Sequence, residues 1–215
     1  VEAFVKTDDL IAALASDPVR RAAPSRLLGF ALLPAVAASL VAYALLLGPR
    51  PDLLDAAATP RFVFKLLVSV GLFVAALGAM LRLAVPGRRQ GAWPVALLAV
   101  PALLAVAVIV ELAVQPAGQW RAAWIGHNAT WCLRVIPLLS LAPLVAAFAV
   151  LKGAAPTRPT LAGAVAGLLA GGLGAAIYAT HCPDDSPLFV ASWYSVAVLG
   201  VAAVGGVLGS RLLRW

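Results

Sequence analysis

Residues 93–114 read WPVALLAVPALLAVAVIVELAV, and Glu111 is their only ionisable side chain. Neither a period of 2 nor a polar stripe at a period of 3.6 runs through them, so a helix built from this stretch is apolar all round. A bilayer hydrocarbon core about 30 Å thick requires roughly 20 such residues. The stretch therefore reads as a transmembrane helix.

Five further runs share its length and character, at about 27–47, 62–82, 131–151, 160–180 and 188–210. Across the 215 residues the apolar fraction is 63% and the charged fraction 12%, against roughly 45–50% and about 25% in soluble domains. The longest connection is 115–130, and turns such as Gly48-Pro49-Arg50-Pro51 and Pro86-Gly87 are tight, which leaves no room for a soluble domain between spans. The expected fold is an all-α integral membrane protein, a bundle of six transmembrane helices over 27–215 behind an N-terminal tail over 1–26. The net charge of +7 does not indicate nucleic acid, because the Lys and Arg stand singly between apolar blocks and form no stripe.

Those cations decide orientation instead. Lys6, Arg20, Arg21, Arg26, Arg82, Arg88, Arg89, Lys152, Arg158, Arg211 and Arg214 fall on one side, and only Arg50, Arg61 and Arg121 on the other, with Lys65 and Arg134 inside or near span ends. The positive-inside rule then puts both termini in the cytoplasm. Trp93 and Trp215 fall at inner boundaries and Trp120, Trp124, Trp131 and Trp193 at outer ones, where amphipathic rings anchor at headgroup level. The first apolar run follows a long polar tail and exceeds an ordinary h-region, which argues against a cleaved signal peptide. Gly163, Gly167 and Gly171, and Gly205 and Gly209, recur at intervals of four and are expected to let helix backbones approach closely. Pro34, Pro101, Pro137 and Pro143 lie inside spans, where kinks are tolerated.

The chain's two Cys and two His all fall on the outer side: His127, Cys132, His181 and Cys182. Imidazole and thiolate suit Zn²⁺ and softer ions, although the spacing is not that of a zinc finger. Three readings of the thiols stay open: reversible sensing chemistry with the histidines as auxiliary ligands, a static Cys132–Cys182 disulfide, or two inert buried thiols. No resident cofactor is required, and an ion held by this set would be a transient one. Asp184 and Asp185 read as turn formers, and Glu111 and Arg134, near the outer ends of spans 3 and 4, as an interhelical ion pair. No Ser-His-Asp set, phosphate loop or HExxH run occurs, so an enzyme is not expected.

In the tail, Thr7 or Asp8 can cap a short helix on which Leu10, Ile11 and Leu14 share a face, and Asp17-Pro18 ends it. So short a helix is marginal alone and gains order in a partner's groove. A competing reading is a small transporter or channel for ions or metals, with kinked spans and Glu111 and Arg134 near the pathway.

Lys6-Thr7-Asp8-Asp9-Leu10-Ile11, Gly48-Pro49-Arg50-Pro51-Asp52-Leu53, Gly126-His127-Asn128, and His181-Cys182-Pro183-Asp184-Asp185-Ser186-Pro187 with Trp193-Tyr194 resemble the NrsF-like bacterial family. The likeness extends from Lys6 to Trp215. It implies a six-span anti-sigma factor of the inner membrane, holding an extracytoplasmic-function (ECF) sigma factor until an outer stimulus releases it, with no direct nucleic-acid contact. It also implies that the response to heavy metals or oxidants runs through the matching thiols, Cys132 and Cys182. The expected sigma-factor contact is the tail's Asp8, Asp9, Leu10, Ile11 and Leu14.

Overall fold

The structure, a computed structural model, describes residues 6–16 and 24–214, apart from the side chains of Leu10, Ala13, Leu14, Ala15 and Pro24. Its helices are α1 (Thr7–Ser16), α2 (Pro24–Leu46), α3 (Leu53–Ala57), α4 (Pro60–Leu83), α5 (Trp93–Val114), α6 (Ala117–Ile125), α7 (Ala129–Ala154), α8 (Pro159–Ala179), α9 (Pro187–Phe189) and α10 (Ser195–Leu212). A π-helical turn over Val190–Tyr194 joins α9 to α10 without a break. No strand occurs among the described residues. Helices α2, α4, α5, α7, α8 and the continuous Pro187–Leu212 segment are long and apolar enough to cross a membrane. The short helices α3 and α6, both in connections, were not anticipated.

Helix starts follow from local chemistry. Thr59 caps α4 by accepting from the Phe62 N–H, Ser186 caps α9 by accepting from Leu188, and Pro60, Pro159 and Pro187 sit where a missing N–H costs nothing. Helix α8 is the hub, packed by α10, α4 and α7, and 72% of its most apolar window is buried against 11% for peripheral α5.

Glycine explains how one helix packs against three others. A Cβ on Gly163 would lie 2.2 Å from the Gly205 carbonyl oxygen, and one on Gly167 2.5 Å from Ala202 Cα, so α8 and α10 touch backbone to backbone. A Cβ on Gly172, which faces α4, would lie 2.8 Å from Phe73 N, and one on Gly174, which faces α7, 2.5 Å from Ser140 Oγ. The interval of four finds only the α10 face. Gly172 and Gly174 break that interval because they serve different neighbours.

Candidate functional site

The connections at 48–59, 115–128 and 180–186 meet at one end of the bundle, called the outer end after the orientation expected from sequence. The 180–186 loop is stitched to its neighbour: the Arg50 N–H donates to Thr180 O at 3.1 Å, Tyr43 and Thr180 hydroxyls share a 2.7 Å bond, and His181 Nδ1 lies 2.8 Å from Gly48 O.

An ion cluster locks the same loop from beneath. Lys65, 0% exposed on α4, donates through Nζ to Cys182 O at 2.7 Å and pairs with Asp185. Arg50 binds the other Asp185 oxygen at 2.8 Å and also grips Asp52 at 2.7 Å. A lysine this deep in apolar surroundings persists only when paired and hydrogen-bonded. Phe62 and Tyr194 add ring faces at 5.5 and 5.9 Å.

Asp184 points the other way. Its carboxylate accepts from the backbone N–H groups of His127 (3.0 Å) and Asn128 (2.9 Å) and from Asn128 Nδ2 (3.1 Å), tying the loop to the start of α7. Gly126 makes that approach feasible: its φ is +57°, and a Cβ there would lie 2.5 Å from the Phe189 ring and 2.8 Å from Asp184 Cγ. Nearby, Trp124 Nε1 donates to Ser192 Oγ and Trp193 Nε1 to Trp124 O, fixing α6 on the π turn.

Inside this frame the thiols of Cys132 and Cys182 lie side by side, both free and both 0% exposed. Donation from the Cys132 thiol, the charge of Lys65 and the Asp184 N–H hold the Cys182 thiol below the ordinary cysteine range, against the opposing effect of burial. The buried Tyr178 and Tyr194 hydroxyls lie beside the pair, Tyr178 next to Cys132 and Tyr194 next to Cys182. A cleft of about 390 Å³, lined by Arg61, Gln119, Pro183, Asp184, Asp185 and Ser186 among others, opens over the loop.

Several residues stand differently from their sequence reading. Glu111 pairs with Arg61 at 3.1 Å and accepts from Ser186 Oγ at 3.2 Å, while Arg134 is exposed on α7. The expected Glu111–Arg134 pair does not form because α5 packs on α4, whose first turn supplies the cation. Asp184 and Asp185 are no mere turn formers; both brace the loop. His127 does not join the thiols: its side chain is 92% exposed, 3.5 Å from Asp184, while His181 is engaged by Gly48. Among the described residues no three His, Cys, Asp or Glu side chains are grouped to hold a metal ion. Lys65 and Arg50, the cations at the centre, carried no assignment from sequence, because the signal for Lys65 was only a lone charge in an apolar run.

The described side chains of the tail helix α1 are exposed. Asp8, Asp9 and Ile11 are exposed, Ile11 by 58%, and the side chains of Leu10 and Leu14 lie outside the described residues.

Six helices long and apolar enough to cross a membrane, with polar chemistry gathered around two thiols at one end and a short helix preceding the first of them, point to a polytopic membrane protein. The chain is a member of the NrsF family, described as "Negative regulator of sigma F", which matches residues 13–215. Its role is thus regulatory and not catalytic. It is 40% identical to "Anti-sigma-F factor NrsF" of Caulobacter vibrioides (strain NA1000 / CB15N) over 218 residues, covering 98% of this chain and 100% of that protein. It is 37% identical to "Probable anti-sigma-F factor NrsF" of Azospira oryzae (strain ATCC BAA-33 / DSM 13638 / PS), with the same two coverages. No solved structure matches the chain.

Proposed function

We propose that the protein is an anti-sigma factor of the bacterial inner membrane that holds an ECF-type sigma factor on its cytoplasmic side and releases it when metal or oxidant reaches the periplasmic end. The adjacency of Cys132 and Cys182 in an ion-locked loop carries the sensing half of this reading. Two thiols side by side can lose two protons and two electrons to hydrogen peroxide, forming one S–S bond and two waters, or can release two protons to solvent and bind a soft divalent ion as thiolates. Either event moves α7 against the loop. Helix α7 packs on α2, with Ser39 Oγ donating to Leu139 O at 2.8 Å, and α2 leads back to the tail.

The capturing half rests on family membership and on α1, whose exposed Ile11 and paired first-turn acids suit a partner groove with an apolar floor and a basic rim. Affinity capture from solubilised native membranes tests it. Ile11→Asp and Leu14→Asp are each expected to lower sigma-factor recovery at least tenfold while the bundle elutes unchanged. Equal recovery would remove the tail from the interface, and no sigma factor with the intact chain would overturn the function.

Sensing is tested separately. A Cys132→Ser, Cys182→Ser double variant is expected to keep repressing a sigma-dependent reporter and to lose induction by diamide or a thiophilic cation. Undiminished induction would sink the sensing half and leave the anti-sigma half standing.

A further inference from the structure

From Pro24 onward the chain carries five acids, Asp52, Asp55, Glu111, Asp184 and Asp185, and every one lies at the outer end. The arginines of the opposite end therefore have no carboxylate within the bundle. Two of them, Arg82 and Arg88, line a pocket of about 320 Å³ together with Ser25, Gly78, Leu81, Val85 and Trp93. Neither forms an ion pair among the described residues.

The pocket's shape comes from Gly78. A Cβ there would lie 2.3 Å from the Trp93 ring, so its absence seats the indole flat on α4 and opens space between the end of α4 and the start of α5. Helix α5 begins at that point with no side-chain cap on Ala92, so the N–H groups of Trp93 and Val95, on either side of Pro94, have no capping side chain. One half of the wall is basic, and the other, made by Leu81, Val85 and the Trp93 ring, is apolar. The lipid-facing side of α5 starts directly above it, with Val95 and Leu98 each 69% exposed.

We infer that this pocket binds the phosphodiester headgroup of an anionic phospholipid, with Arg82 and Arg88 on the phosphate and the apolar wall on the glycerol backbone and first acyl carbons. An inorganic phosphate would use only half of the wall. Because Ser25 opens α2, a lipid seated here fixes the root from which the tail leaves the membrane. The inference rests on the proposed orientation solely for which leaflet supplies the lipid, and it is independent of sigma-factor capture.

Native mass spectrometry of the purified full chain in non-ionic detergent, titrated with phosphatidylglycerol, tests it. One retained lipid is expected for the wild type and for an Arg211→Gln, Arg214→Gln control. Affinity is expected to fall at least fivefold in Arg82→Gln, Arg88→Gln and at least twofold in Arg88→Gln alone, a change at an exposed position that leaves folding intact. Phosphatidylethanolamine is expected to bind no variant preferentially. Undiminished binding in both pocket variants, or equal losses in pocket and control variants, would overturn the site. Displacement of the lipid by equimolar inorganic phosphate would overturn the lipid assignment. Since no sigma factor is present, failure here leaves the proposed function untouched.

Discussion

Asp185→Asn is expected to lower stability by about 3–5 kcal/mol, the range for removing one partner of a buried ion pair. Asp185 is the shared counter-ion of Arg50 and Lys65, and the Lys65 side chain is 0% exposed. Lys65→Met removes a charge but leaves Asp185 bound to Arg50, so its loss is expected to be smaller. The double variant, Lys65→Met with Asp185→Asn, is expected to lose less than the sum of the single losses, because no uncompensated ammonium then remains in the interior. Thermal unfolding in detergent, followed by tryptophan fluorescence, measures all three. Additive losses would mean that the two side chains are not coupled. Lys65 also donates to Cys182 O and its charge favours the Cys182 thiolate, so Lys65→Met is expected to slow thiol oxidation. A stability change with no change in oxidation rate would separate the ion lock from the thiol pair.

What sequence could disclose here depended on how far apart partners lie along the chain. The six spans were legible because a membrane helix declares itself within about 20 residues, through composition alone. The close approach at Gly163 and Gly205 was legible for a similar reason, as a local interval of four. By contrast, the lock joins Lys65 to Asp185 and the pair Cys132 to Cys182 across long separations, and no local pattern says which outer-end charges meet. Glu111 shows the consequence. The cation nearest the outer end of the next span was Arg134, but α5 lies against the first turn of α4 and the carboxylate meets Arg61 instead. The resemblance in Gly126-His127-Asn128 and His181-Cys182-Pro183-Asp184-Asp185-Ser186-Pro187 flagged both segments without saying why they occur together. The physical reason is that Asp184 takes the two N–H groups that Gly126 presents.

Substituting alanine along the glycines of α8 and α10 is expected to produce a graded series set by what each new methyl meets. At Gly163, Gly167, Gly205 and Gly209 the methyl lands 2.2–2.5 Å from backbone atoms of the facing segment, which cannot rotate away. The helices must separate instead, and a loss at the upper end of the roughly 1–3 kcal/mol typical of overpacking, or beyond it, is expected at each. Gly171 differs although it shares the interval of four, because its nearest neighbour is Val198 Cγ1 at 3.0 Å, a side-chain atom that can give. Gly171→Ala should therefore be mild. At Gly206 the contact is an ordinary 3.6 Å, and around Gly200 nothing lies within 4 Å. There the helix propensity of alanine, up to about 1 kcal/mol over glycine, is unopposed, and Gly200→Ala is expected to be neutral or stabilising. Fluorescence-detected size exclusion after heating ranks the set. A uniform response would show that glycine matters here only for backbone flexibility, whereas the expected order, with Gly163 worst and Gly200 best, would show that α8 and α10 are held at a distance that admits no side chain.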